Sequence, residues 1–368
     1  DAAALLRRRQ QLQDELTKSS PVTRVRFRDQ SVHVKRDDVF HLAGNKMRKL
    51  HWFVKQDDTF YKDAHLVSFG GAQSNAMLAI AQLAQTRGVP FTYFSRGLQL
   101  RTDAFASNRE EPSGAQQPSG NLVLALELGM QHVELSPAVY QQLAQTKDFS
   151  CTIEEHAHLQ HLLDGKSIKN AVFIPQGAAF EHAHEGLEEL AHEINAYVTS
   201  EQSKDKCFSV VVPAGTGTTA LYMAQHLDPS RTRLFAVPCI GDATYLQKQF
   251  MDLVERDAVL TQRAEAHTLT LPSILTPNQK ARFGRLSWPL YDMYHELVAA
   301  TQVEFDLVYG CFAWQTMFTE RSLTKLLHGD GSDQPEHELN PRELLYVHTG
   351  GVSGNATMLA RYLAKKKQ

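Results

Sequence analysis

Apolar positions along the chain follow two alternating periods. Residues 4–17 place them at helical spacing, and Ser19-Ser20-Pro21 then breaks the pattern into two short strands, Val22–Phe27 and Ser31–Lys35. The stretch 45–55 (NKMRKLHWFVK) is helical in pattern. Ala64–Phe69 is an unbroken apolar run of strand length, followed by Gly70-Gly71, an alanine-rich helix over Asn75–Thr86 that stops at Gly88, and a second strand at Val89–Phe94. Strand, glycine turn, helix and strand in that order form a βαβ unit, which predicts a parallel sheet. The alternation continues through a helix at Asn121–Leu128, strands at His132–Leu135 and Ala171–Ile174, and a long helix near 181–197. It then runs through a strand at Cys207–Val212, a helix near 220–227, and strands at Leu234–Val237, Phe305–Val308 and Leu344–Val347. Pro272–Lys280 reads as a cleft-facing loop, and the polar stretch 97–120, with Pro112, Gly114, Pro118 and Gly120, as an inserted loop.

At roughly 100–200 residues per domain, 368 residues predict two domains. The 38 basic and 41 acidic residues give a formal charge of −3, which supplies no general field for nucleic acid. The terminal Lys365-Lys366-Lys367 run reads as a solvated helix end. Cys151, Cys207, Cys239 and Cys311 are widely spaced, so neither a disulfide framework nor a zinc knuckle is expected, and a reducing cytoplasmic setting is the default. No signal peptide is evident in the first thirty residues, no run has the ~20 apolar residues of a membrane span, and the chain starts at Asp1, which leaves room for preceding residues. The histidine groups His156-x-His158-x-x-His161 and His182-x-His184 lie in polar surroundings. Imidazoles two apart on a helix diverge, so no metal is expected.

Four segments carry candidate chemistry. Gly44-Asn45-Lys46 closes an apolar stretch on a lysine whose amine can bond an aldehyde cofactor. At Val210–Thr219 a hydrophobic strand runs into Gly215-Thr216-Gly217-Thr218-Thr219 and then a helix. That brings backbone N–H groups and hydroxyls to a positive helix end suited to a phosphate. It lacks the lysine of a P-loop and the spacing of a dinucleotide fingerprint. Gly70-Gly71-Ala72-Gln73-Ser74-Asn75 is a second strand-to-helix turn, able to hold a substrate carboxylate or only to cap its helix. Gly350-Gly351-Val352-Ser353-Gly354-Asn355 is a third. An amine, a phosphate cradle and a carboxylate cradle around one cleft specify pyridoxal 5'-phosphate and an amino acid.

Taken in order, these segments resemble the 1-aminocyclopropane-1-carboxylate deaminase / D-cysteine desulfhydrase family of pyridoxal-phosphate enzymes, of the tryptophan-synthase-β type fold. Lys35-Arg36-Asp37-Asp38 and Gly44 through Leu50 resemble K-R-E-D … G-N-K-x-R-K-L, Gly70–Asn75 resembles G-G-x-Q-S-N, and Ile174-Pro175-Gln176-Gly177 resembles I-P-x-G. Val308-Tyr309 and His348-Thr349-Gly350-Gly351 match P-V-Y and H-[TL]-G-G. The resemblance implies an α/β protein of fold type II, with two open, twisted, largely parallel sheets carrying helices on both faces. It implies a large cofactor domain over 1–57 and 170–368, a small substrate-side domain over 58–169, and a homodimer. It makes Lys46 the cofactor-bearing lysine and, once substrate has displaced it, the base at Cα. Lys49 and Gly215–Thr219 would serve the phosphate, Asn75 and Thr349 the ring, and Gln73, Ser74, Asn75 and Ser287 the substrate, with Ser74 also handling protons and Tyr309 a substrate-facing phenol that bonds the substrate or relays a proton.

The departures concern the substrate. Deaminases of the family have glutamate after the tyrosine and leucine before the late Gly-Gly, whereas this chain has Gly310 and Thr349. Threonine at the second place belongs to the desulfhydrase branch, and glycine at the first matches neither. A second substrate-side tyrosine expected near Gly284-Arg285-Leu286-Ser287 is replaced by Ser287 or Trp288, and Cys311-Phe312 replaces a G-K. The leading expectation is a lyase that eliminates a β-thiolate from a D-cysteine-type substrate, giving pyruvate, ammonia and sulfide. Alternatives are a 1-aminocyclopropane-1-carboxylate or other small amino-acid deaminase, a replacement enzyme or racemase, and a non-catalytic amino-acid or cofactor-binding protein.

Overall fold

A computed structural model describes residues 2–96, 120–145, 150–153, 157–163, 168, 170–280, 285–329 and 341–366. The expected insertion therefore lies outside the described residues except for Gly120, as do His156 and Gly284. The chain divides into two compact units. One comprises Asp1–Gln11, Gln56–Phe180 and Ala356–Gln368, the other Leu12–Lys55 and Glu181–Asn355. No helix among the described residues is long and apolar enough to cross a membrane.

Each unit is built on one sheet. In the second unit β1 (Val22–Phe27), β2 (Gln30–Arg36), β7 (Phe208–Ala214), β8 (Thr232–Pro238), β9 (Ser273–Ile274) and β10 (Glu343–His348) lie in the order β1-β2-β10-β7-β8-β9. All pairings are parallel except β1 with β2, a hairpin whose two turn residues, Arg28 and Asp29, have φ of 44° and 63°. In the first unit β3 (His65–Gly70), β4 (Phe91–Arg96), β5 (Gln131–Leu135) and β6 (Ala171–Ile174) form an all-parallel sheet in the order β5-β4-β3-β6. Both sheets are the α/β kind that the apolar periodicity predicts. β3 and β7 are buried along their whole length, as parallel strands covered on both faces must be.

Local chemistry sets the element ends. The helix Asn75–Arg87 begins where the Ser74 hydroxyl accepts from the N–H of Ala76 and Met77, and stops at Gly88 in the left-handed region. Two elements differ from expectation. The stretch 45–55 forms two short helices, Lys46–Lys49 and His51–Lys55, meeting at Leu50. Phe305–Val308 is no strand. Phe305 and Leu307 are buried, but the Asp306 carboxylate accepts from the N–H of Val308 (3.1 Å), Tyr309 (2.6 Å) and Gly310 (2.7 Å) and curls the backbone into a turn that opens the helix Gly310–Met317.

Candidate functional site

The second unit gathers Lys46, the Gly215–Thr219 turn, Tyr309 and the Thr349 turn. Two left-handed glycines make the entry to Lys46. Gly44 (φ 69°) and Gly350 (φ 81°) lie back to back, so that a Cβ on Gly44 would stand 2.8 Å from the Gly350 Cα and one on Gly350 2.9 Å from the Gly44 Cα. Asn45 donates its N–H to the Thr349 carbonyl at 3.1 Å, which joins the two turns. His348 fixes the second of them. Its Nδ1 accepts from the Gly350 N–H at 3.2 Å, so the proton is on Nε2, facing the Glu304 carbonyl at 2.7 Å.

Beneath this entry runs a buried chain of charge. Arg48 forks onto both oxygens of Glu193 at 2.7 Å each and reaches Asp37 at 3.1 Å. Asp37 also accepts from the Ser20 hydroxyl at 2.6 Å and the Asn45 amide at 3.2 Å. Asn45 in turn accepts from the Thr219 hydroxyl at 3.3 Å, so the network ends in the glycine turn after β7. Burial alone pushes the Asp37 carboxyl up, but the Arg48 charge and the Arg48 and Ser20 hydrogen bonds carry it below the ordinary carboxylate range.

The neighbouring lysines differ in use. Lys35 is buried against the Glu193 carboxylate and the Ser20 carbonyl. The Lys46 amine has no hydrogen bond or ion pair among the described residues, and burial lowers its ammonium from the usual lysine value to about 8, opposed by the Asp306 charge. Burial, with the Lys46 charge, pushes Lys49 well below the usual value.

At the cradle turn Gly217 (φ 77°) opens the helix Thr218–Ala224, two residues earlier than periodicity predicts, which puts Thr218 and Thr219 on its first turn. The Thr216 and Thr218 hydroxyls are 3.0 Å apart. A Cβ on Gly215 would stand 3.4 Å from Tyr309 Cε1 and 3.6 Å from its hydroxyl, so the phenol lies over the cradle glycine. Burial, with the charges of Cys239, Asp306 and Tyr245, raises the Tyr309 phenol above its ordinary value and keeps it protonated. Gly310 packs onto Asp306, where a Cβ would come within 2.9 Å of Oδ2. Asn355, ending the third glycine turn, holds this loop by accepting from the Leu307 N–H (2.9 Å) and donating to the Phe305 carbonyl (3.0 Å) and Glu304 (2.8 Å). Ser287 stands at the start of the helix Trp288–Thr301, its carbonyl accepting from Leu290 and Tyr291.

The first unit holds the Gly70–Asn75 turn. Ser74 caps its helix, and Tyr93 donates to the Gly71 carbonyl at 3.1 Å and hydrogen-bonds Ser74. Gln73 Oε1 accepts from the Asn121 N–H at 3.0 Å, and Asn121 Nδ2 reaches the Gln73 carbonyl (3.1 Å) and Asn75 Oδ1 (2.8 Å). The Gln73 and Asn75 side chains thus brace the helix that follows residue 120.

No protein-family model matches the chain. Over 121 residues it is 31% identical to a Thermotoga maritima protein named "Putative 1-aminocyclopropane-1-carboxylate deaminase", over 32% of this chain and 33% of that protein. The match thus spans about a third of the relative's length. The solved structure of an ACC deaminase homologue superposes with a TM-score of 0.67 at 19% identity, covering 95% of this chain and 94% of that one. A pyridoxal 5'-phosphate-dependent aspartate racemase superposes with a TM-score of 0.53 at 13% identity, covering 93% and 95%. The chain has the fold type II architecture. The curated match and the motif resemblance point to the same family.

On this fold type II scaffold the structure brings Lys46, Lys49, Gly215–Thr219, Tyr309 and Thr349 into one unit, and keeps Gln73, Ser74 and Asn75 together in the other. Sequence reasoning missed Asp306, Asn45, Glu193 and Asn121. Asp306 had a legible signal, an aspartate four residues before a glycine at a helix start. The others had none, because decisive partners are distant in the chain: Asn121 bonds Asn75 across 46 positions, Arg48 bonds Glu193 across 145 and Thr219 bonds Asn45 across 174.

Proposed function

We propose that the chain is a pyridoxal-phosphate-dependent lyase or deaminase acting on a small amino acid, with Lys46 as the cofactor-bearing lysine. The observation that carries this is the untied Lys46 amine, lowered to about 8 and reached through the interlocked Gly44 and Gly350 turns, in contrast to Lys35, which is tied to Glu193. The residues present fit the cofactor. An amine with that value is in part neutral and nucleophilic near pH 7. The Gly215–Thr219 turn offers the first amides of a helix, which have no partners within the helix. Burial and the Lys46 charge disfavour the Lys49 ammonium, and a phosphate held nearby would favour its charged form. Pyridoxal phosphate, when bound, supplies an electron sink for the carbanion formed at an amino acid's Cα.

In this reading the displaced Lys46 amine takes the Cα proton, and the protonated Tyr309 phenol donates a hydrogen bond to the substrate. In the same reading Thr349 would offer the ring a neutral hydroxyl, and Ser74, Asn75 and Ser287 would serve the substrate side. Gln73 is assigned to bracing Asn121. The Gly310 position offers no carboxylate of its own, and the nearby Asp306 carboxylate is occupied by three backbone amides. A weak ring partner favours loss of a good leaving group, and a thiol of pKa ~8.5 is one. The reading is therefore β-elimination from a D-cysteine-type substrate, in which the amino acid and one water give pyruvate, ammonia and sulfide. The likeness to an ACC deaminase homologue favours a second reading, cyclopropane ring opening to 2-ketobutyrate and ammonia.

The test has two parts. Borohydride reduction of the cofactor-loaded protein should fix the cofactor on the Lys46 peptide, and Lys46→Ala should lose both that bond and the visible absorption band. Retention of a reducible bond at the same site in Lys46→Ala would overturn the assignment. A panel of D- and L-amino acids, assayed together for pyruvate, sulfide and 2-ketobutyrate, separates the two substrates, and no turnover of any member leaves only the binding function.

A further inference from the structure

A second cluster of chemistry-bearing side chains lies in the same unit, outside the Lys46 site. Glu188 and His192 are four residues apart on the helix His184–Val198 and so share a face. His226 follows the helix Thr218–Ala224 and meets them. Its Nδ1 is 3.5 Å from Glu188 Oε1, His192 Nε2 is 3.9 Å from the same oxygen, and the three candidate ligand atoms all lie within 4.8 Å of one another. We propose that Glu188, His192 and His226 bind one divalent transition-metal ion of zinc type, joining the helix His184–Val198 to the turn that carries His226.

The donor set selects the class of ion. Two imidazoles and a carboxylate suit zinc, cobalt or nickel, whereas magnesium and calcium take oxygen ligands. Tetrahedral zinc with ligands at roughly 2.0–2.1 Å needs its donors about 3.3–3.4 Å apart, so the cluster has only about an ångström or so to close. His192, whose side chain is 55% exposed, can make that movement and leaves a coordination position open to water.

The backbone carrying His226 is held in advance. Asn195, on the same helix as Glu188 and His192, donates to the His226 carbonyl at 2.7 Å and accepts from the Asp228 N–H at 2.9 Å. The positive charge of Arg263, which acts on His226, opposes a cation here. Spacing along the chain gave no sign of the site, since its third ligand comes from another element.

The experiment titrates Zn²⁺ into the cofactor-loaded protein against a chromophoric chelator. The expected result is one equivalent per chain, lost in both His192→Ala and His226→Ala, and weakened about tenfold in Asn195→Ala, the size typical of removing a group that orients a ligand. Zn²⁺ should raise the Tm of the parent protein and not that of His226→Ala, while the cofactor absorption band stays unchanged in every variant. Co²⁺ in place of Zn²⁺ should give visible bands that His226→Ala abolishes. No bound equivalent, or equal binding in the parent and both histidine variants, shows a solvated ion-pair cluster only and overturns the proposal. Equal Tm values for parent and variants without metal rule out misfolding as the cause of lost binding.

Discussion

Two buried carboxylates flank the Lys46 region, and the protein treats them in opposite ways. Asp37 meets a full opposite charge. Arg48 reaches it directly, Ser20 and Asn45 complete its hydrogen bonds, and its carboxyl is held below the ordinary range. Asp306 has no cation within ion-pair distance among the described residues. It is wrapped by the backbone N–H groups of its own turn, and burial outweighs those bonds and raises its carboxyl. The first arrangement is scaffold, a fixed charge pair that positions Asn45 and the start of the Lys46 helix. The second leaves a charge uncompensated, and that charge acts on Lys46. A family-like motif covers the first, and the chain's departure at Gly310 falls on the second.

The contrast has opposite signs in pH. Asp37 is depressed, so its contribution to stability is complete above the ordinary carboxylate pKa and is lost as pH falls through its lower folded value. Asp306 is raised, so between the ordinary value and its folded one the native state holds the extra proton. There stability falls as pH rises.

The largest effect should come from breaking the paired side. Arg48→Met leaves Asp37 and Glu193 without their guanidinium and should cost about 3–5 kcal/mol in denaturant unfolding; a loss under 1 kcal/mol would mean that the pairing is not scaffold. Next is Gly310→Ala, whose methyl meets an oxygen already held by a backbone amide. It should cost about 1–3 kcal/mol, and a neutral result would show that the Asp306 loop yields easily. Smallest in stability but most specific is Asp306→Asn. Aldehyde capture by the cofactor-free parent should rise about fivefold between pH 7 and 8, following a Lys46 value of about 8, and level off above it. Removing the Asp306 charge should move that midpoint to lower pH. A midpoint that stays or rises removes Asp306 as the partner of Lys46.

The periodicity of apolar residues made most strands legible, because parallel strands buried on both faces are continuous hydrophobic runs. It failed at Phe305–Val308, where equally apolar residues are bent by one aspartate between them. The glycine turns were legible as turns, and their pairing was not, since Gly44 needs Gly350 only because their backbones touch. Gln73 shows the other limit. Its motif position suggested substrate, whereas its carboxamide accepts from the backbone of Asn121, a partner that no local pattern announces.

The strand order of the larger sheet has a consequence for how the protein is made. β10, made after every other strand of its sheet, sits between β2 and β7, and its far end supplies the Gly350 surface on which Gly44 rests. Lys46 leaves the ribosome about three hundred residues before that surface exists. A nascent chain halted before β10 therefore carries the lysine without its interlocked turn, and the sheet's middle stays open until β10 has been made.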